Sequence, residues 1–244
     1  MRAWFRAKRE KPARLLQVAP ISGGPPIAVT LKRSRRARRL VLSVDPGQAA
    51  PVLVIPPNVS ISEAQSFLDS RARWLERRLS ALPPRTAFAD GAVIPFLGGA
   101  LTLRHAAGAR GAAWREGEAL HVAGDPRHLA RRAADWLKRA ARAEFARRAE
   151  EKAALLGRPA PRVAVRDPKR QWGSCSADGT LRLSWRLVLA PGEVVDYVVA
   201  HEVAHLQEMN HGRAFWAAVA RLTPNAGAAR LWLKRHGHGL LRYG

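Results

Sequence analysis

Cysteine is almost missing from this 244-residue chain: Cys175 stands alone. That excludes an intramolecular disulfide framework and leads us to expect a reducing, cytoplasmic setting. Acidic residues are also scarce, with 19 Asp and Glu against 42 Lys and Arg, which leaves a formal net charge of +23. No run of about 18 apolar residues occurs, so no membrane partner is expected. Between Met1 and Pro20 the basic residues Arg2, Arg6, Lys8, Arg9, Lys11 and Arg14 interrupt every apolar stretch before it reaches signal-peptide length. The chain has no internal repeat, no low-complexity tract and no Gly-rich phosphate loop. What it does have is 47% hydrophobic and only 25% charged residues, enough to bury a core, so a wholly disordered polycation is excluded.

A charge of +23 attracts polyanions, which makes nucleic acid a candidate partner through a basic surface. The densest run, Lys32-Arg33-Ser34-Arg35-Arg36-Ala37-Arg38-Arg39, leads into Leu40-Val41-Leu42-Ser43-Val44. It reads first as a solvated turn feeding a strand, with a phosphate-binding patch as the alternative. From Ile27 to Pro56 short β-branched residues broken by Asp45-Pro46-Gly47 predict strands. Ser60 or Ser62 caps a helix that runs through Leu68, Trp74, Leu75 and Leu79 to Pro83-Pro84. Ala92 to Val122 returns to short strands. A long helix follows from about Pro126 to Leu156, with apolar residues at spacings of three and four, and stops at Gly157-Arg158-Pro159. Beyond it come short strands at Arg162–Arg166 and Leu181–Trp185, then a helix opened by Pro191-Gly192, and last helices over about 213–235. The expected fold class is α+β. Its organisation is a basic N-terminal extension over 1–24, a β-rich region over 25–122, a connecting helix over 123–158 and a C-terminal region over 159–244 that carries the motif described next.

The helix after Pro191 carries His201-Glu202-Val203-Ala204-His205. Two imidazoles four residues apart share one helical face and can bind one metal, while the Glu after the first can reach an attacking water. Zinc suits imidazole ligands and keeps a position open for that water. A third ligand is reached by elimination, because no Asp or Glu follows Glu208 and an unbroken helix holds the Glu208 carboxylate too far away. Asn210 and Gly212 can break the helix and fold His211 back, so His211 is the expected third ligand. The His spacing equals that of metzincins. Glu208, however, stands where they have Gly, and Met1 and Met209 cannot form a Met-turn, so that label fails.

Gln171-Trp172-Gly173-Ser174-Cys175-Ser176, Leu181 to Leu187, Glu193 to Val199, the His cluster and Phe215-Trp216 together resemble the YgjP-like metallopeptidase family. The resemblance covers most of the chain and includes the basic segment before Leu40. It implies a minimal zincin-like, metal-dependent hydrolase, related at its site to the SprT-like and WLM groups of DNA-associated proteases. Gln171 and Ser184 depart from the family pattern, which usually has Arg and Asn there. The implied chemistry has His201, His205 and His211 on Zn2+ and Glu202 as general base, cleaving a peptide bond. A UTP pyrophosphohydrolase and a basic binding module with structural zinc are the alternatives. Arg186, Tyr197, His236 and His238 are in reach of consideration as oxyanion stabilisers, and none is assigned. Trp172, Trp185 and Trp216 read as core, Cys175 reads as a small buried residue, and Leu181–Ser184 is a candidate edge strand for an extended peptide. Oligomeric state is not legible in the sequence.

Overall fold

Alternation of apolar and polar residues at period two produces the first sheet. The computed structural model describes residues 14–244, so most of the expected basic extension lies outside the described residues. Strands β1 (Arg14–Val18), β2 (Ile27–Arg33), β3 (Val41–Asp45) and β4 (Ala50–Ile55) form a sheet in the order β1-β2-β4-β3. β2 and β4 are parallel and the two outer pairs antiparallel. Leu16, Val18, Val29, Leu31, Leu53 and Ile55 bury one face against Ala64, Leu68, Ala72 and Leu75. Those four come from α1 (Ile61–Ser70) and α2 (Ala72–Ser80). Ser60 is the cap, in a reciprocal capping box with Glu63. The single helix expected here is two helices, because Arg71 leaves helical geometry at φ −106°, ψ 5°.

The chain divides into two compact units, 1–83 and 84–244, and this division falls within the stretch 25–122 read above as one β-rich region. The second unit opens with β5 (Val93–Phe96), β6 (Gly99–Ala106), β7 (Ala113–Glu116) and β8 (Ala119–Ala123), in the order β5-β6-β8-β7. Helix α3 (Leu129–Leu155) follows, with Leu129, Ala133, Leu137, Ala141, Phe145, Ala149 and Ala153 all buried. A strict step of four overruns the 3.6-residue turn by about 40° each time, so the buried stripe winds around the helix axis. That winding lets one helix serve different neighbours along its length. Arg132 near its start donates to the Ala123 carbonyl, while Arg148 and Lys152 near its end reach the helix that carries the His-Glu-x-x-His motif.

β9 (Val163–Arg166), β10 (Gly173–Cys175) and β11 (Leu181–Ser184) make a three-stranded sheet in the order β10-β11-β9. β11 is therefore the central strand, paired on both sides. This corrects its assignment as a peptide-binding edge: alternation marks a strand but does not say which neighbours it acquires. Asp178 and Gly179, at φ 76°, turn the chain between β10 and β11. A 3-10 turn (Trp185–Leu189) leads to α4 (Gly192–Ala204), α5 (Arg213–Leu222) and α6 (Ala226–Leu240). The fold is α+β, and no described helix is long and apolar enough to cross a membrane.

Candidate metal centre

Val194, Val195, Val198, Val199 and Val203 are all buried, so α4 is apolar on most of its circumference and sits inside its unit. Its position is also fixed by charge. The Lys152 ammonium, only 7% exposed, lies 2.9 Å from the Asp196 carboxylate and donates to the Leu222 carbonyl at 2.8 Å. Arg148 adds a contact to Asp196 at 3.3 Å and donates to the Gly192 carbonyl at 2.9 Å.

At the C-terminal end of this helix His201 and His205 stand one turn apart on one face. The helix then stops, and Glu208 N–H donates back to the Ala204 carbonyl. His205 Nδ1 lies 3.0 Å from the Glu208 carbonyl oxygen. A carbonyl only accepts, so the proton sits on Nδ1 and the lone pair on Nε2. Gly212 N–H donates to the Asn210 carbonyl at 2.7 Å, and this reversal returns His211 to the other two rings. His211 Nε2 is 3.2 Å from His201 Nε2, and one ring nitrogen from each of the three lies within 4.8 Å of the others. Glu208 contributes its main-chain carbonyl and stands outside this group of side chains.

The donor set fits a divalent ion. A tetrahedral ion with bonds typical of zinc holds imidazole nitrogens about 3.3 Å apart, close to the His201–His211 separation of 3.2 Å. His201 Nδ1 is buried without a hydrogen-bond partner among the described residues. Burial, reinforced by His205, His211 and Arg230, pushes the His201 imidazole down to about 4, so near neutral pH it offers a lone pair rather than a charge. Phe215 walls the group, its ring centre 4.9, 4.5 and 4.6 Å from those of His201, His205 and His211. Trp216 lies further out at 5.9 Å from His201, with the Arg230 guanidinium 5.1 Å over its ring.

Glu202 is 5% exposed, and burial raises its carboxyl to about 7. The space for it is made by β10. A methyl group at Gly173 would stand 2.5 Å from Glu202 Oε1 and 2.8 Å from Cδ. Gly173 is thus the residue whose missing side chain lets the strand lie against the carboxylate. Cys175 on the same strand is half-buried, and its thiol is pushed up first by burial and then by the Glu202 charge.

The remaining candidates fall away from the rings. Arg186 is held by Asp167 at 2.7 Å and by the Tyr243 carbonyl at 2.7 Å. Tyr197 is buried with its ring 6.0 Å from His201, while His236 packs on Trp232 at 5.2 Å. His238 lines a small pocket with Lys169, Arg170 and Trp172. Trp185 is core, whereas Trp172 is half-buried and Trp216 stands at 36% exposure beside the His cluster, so the core reading of Trp216 is corrected. Ser184 Oγ is buried with no partner among the described residues, at the position where the resemblance expects Asn. Sequence reasoning placed Gly173 in the motif that carries the resemblance without giving it a role, and missed Arg230, since neither has a local pattern that ties it to a residue tens of positions away.

Comparison with known proteins places the chain in a family. A family model described as YgjP-like, metallopeptidase domain, matches residues 38–236. Among solved structures, the crystal structure of the metallopeptidase zymogen of Pyrococcus abyssi abylysin is 26% identical. That match covers 37% of this chain and 93% of the other, with a TM-score of 0.34. No curated protein matches the sequence. Because the family model takes in well over half of the residues, His cluster included, the chain belongs to the YgjP-like metallopeptidase domain family and is a metal-dependent hydrolase.

Proposed function

We propose that the chain is a zinc peptidase in which His201, His205 and His211 hold the ion and Glu202 is the general base. The observation that carries this reading is the convergence of three imidazole nitrogens within 4.8 Å beside a buried carboxylate. Held by these three imidazoles, zinc would supply Lewis acidity for activating a water and polarising a carbonyl oxygen. Glu202 takes the proton from the attacking water and passes it to the leaving amine nitrogen, so one carboxyl group serves both proton transfers. His205 is oriented for ligation by its hydrogen bond to the Glu208 carbonyl. Phe215 keeps the back of the cluster dry.

A peptide as substrate is supported by β10. Among the described residues this strand pairs only with β11, and it lies against Glu202 through Gly173. An extended peptide that pairs with the free edge of β10 would run past the carboxylate. The test is metal content and turnover on a quenched fluorescent peptide library. Glu202→Gln keeps one metal per chain and loses about 10²–10⁴-fold in rate, the range for a general base. His205→Ala loses the metal. A Glu202→Gln enzyme with wild-type rate removes Glu202 from the role, and pyrophosphate release from UTP without peptide cleavage replaces the peptidase reading.

A further inference from the structure

The first unit contains a second feature that the hydrolytic site does not use. Along α1 and α2, Phe67, Arg71 and Trp74 follow one another at spacings of four and three and so share one side of the helical pair. Facing them is the start of β3, the last strand of its sheet. Between the two lies a cleft of about 370 Å³ lined by Arg39, Val41, Leu42, Phe67, Arg71 and Trp74. Val41 is 44% and Trp74 40% exposed, so apolar surface that the core could have covered is left to solvent. The Arg71 guanidinium lies 5.5 Å over the Phe67 ring. Arg39 is the final residue of the basic run 32–39.

Charge selects the occupant. Residues 1–83 carry sixteen Lys and Arg against five Asp and Glu, and no acidic side chain lines the cleft. Glu63, Asp69 and Glu76 lie elsewhere on the helices, and their carboxylates accept from Ser60 N–H, Gln65 and Ser22. A second copy of this chain would set four guanidinium groups against one another. An acidic peptide satisfies the charge, but its carboxylate side chains give the two rings no aromatic face to stack on. A polyanion with planar bases satisfies both, provided the bases are not already stacked in a duplex.

We propose that this cleft binds single-stranded nucleic acid, with an unstacked base on Trp74 and Phe67 and its flanking phosphates on Arg39 and Arg71. The site is separate from the His cluster and does not depend on the peptidase reading.

The test is fluorescence anisotropy of the full chain with labelled oligo-dT and oligo-rU of about twelve nucleotides, within the span one such site covers. Trp74→Leu should weaken binding roughly 5- to 150-fold and leave its salt dependence unchanged, while Trp74→Phe retains most of the affinity. Arg39→Ala with Arg71→Ala should weaken binding and reduce the slope of log affinity against log salt by about 1.4, two phosphates at about 0.7 each. Both arginines are exposed, so this pair decides the question even if Trp74→Leu destabilises the unit. Arg139→Ala with Arg158→Ala removes the same charge from the second unit and should change affinity far less. Binding of either sugar supports the assignment, and a preference identifies the source. Wild-type binding by Trp74→Leu, equal binding of the matching duplex, or an equal loss in the control pair overturns it. So does capture of poly-Glu, or self-association, that depends on Trp74 in the same way.

Discussion

Replacing Gly173 with Ala probes the candidate site without replacing a titratable group or a metal ligand. Gly173 has ordinary strand geometry, so alanine can adopt its backbone and the perturbation is purely one of space. The new methyl would lie 2.5 Å from Glu202 Oε1, whereas ordinary contacts begin at 3.4 Å. Relief asks for a displacement of about 0.9 Å. A misplacement of ~1 Å at a reacting group costs on the order of 10²-fold in rate. The expected result is a kcat about 100-fold lower with KM nearly unchanged and metal content intact, because the three atoms nearest the methyl all belong to Glu202. Overpacking also destabilises by about 1–3 kcal/mol, which at 2–4 °C per kcal/mol lowers Tm by roughly 2–12 °C. A general loss of stability and a specific displacement of the carboxylate are separated by a double-mutant cycle. In a Glu202→Ala background the obstruction is gone, so Gly173→Ala should change turnover less than about twofold and restore the lost Tm. Peptide hydrolysis at matched metal content and thermal melts of the four proteins supply the data. A wild-type kcat for Gly173→Ala, or a Tm loss that persists undiminished in the Glu202→Ala background, refutes the reasoning.

Two further predictions follow from the groups around α4 and β10. Asp196→Ala leaves Lys152 buried with only the Leu222 carbonyl, and should cost about 3 kcal/mol, the lower end for orphaning a buried charge. In a unit of this size that is a Tm loss of roughly 6–12 °C by calorimetry; a change within 2 °C would mean that the pair contributes little to holding the helix. Asp178 accepts from Ser176 and from Thr180 N–H, which holds its carboxyl down at about 2. Its native value is depressed, so its support for the β10–β11 turn is complete above the ordinary value of 3.8 and is lost as pH falls through 2. A carboxyl-carbon NMR titration should therefore find a midpoint near 2, moving to the unperturbed range in Ser176→Ala with Thr180→Val; a midpoint already near 4 in the wild type contradicts the hydrogen-bonding account.

How far the sequence could be read depended on the distance over which each feature is encoded. The His201–His205 pair follows from four residues of helical geometry, and the return of His211 needed only the breaker residues beside it. The stripe on α3 is equally local, since apolar residues recur along one helix. Strand order is not local. β11 alternates like an edge strand, yet it is central because β9 arrives in parallel from before the Trp172 segment and β10 folds back from the Asp178 turn. The helix break at Arg71 was hidden for another reason: no Pro or Gly marks it, and both halves keep their apolar side on the same sheet.

The Trp172-Gly173 pair shows why the substrate side of a site is harder to read than its ligands. Ligands must share a chemistry, so their residue types reveal them. The residues that shape the space around them are chosen for what they lack. Gly173 has no Cβ where Glu202 needs room, and Gly237 of α6 has none where the Trp172 indole lies, with a methyl there falling 3.1 Å from its ring. The segment entering β10 thus rests between two helices at adjacent positions, with α4 admitted by Gly173 and the Trp172 indole admitted to α6 by Gly237. A shift of α6 would press on the indole and move β10 against the general base proposed here. Gly237→Ala should therefore lower turnover in the same direction as Gly173→Ala although it stands outside the cluster, and the two should be less than additive in rate, because both act on the placement of one carboxylate. Full additivity would show that α6 acts on the reaction by a route that does not pass through β10.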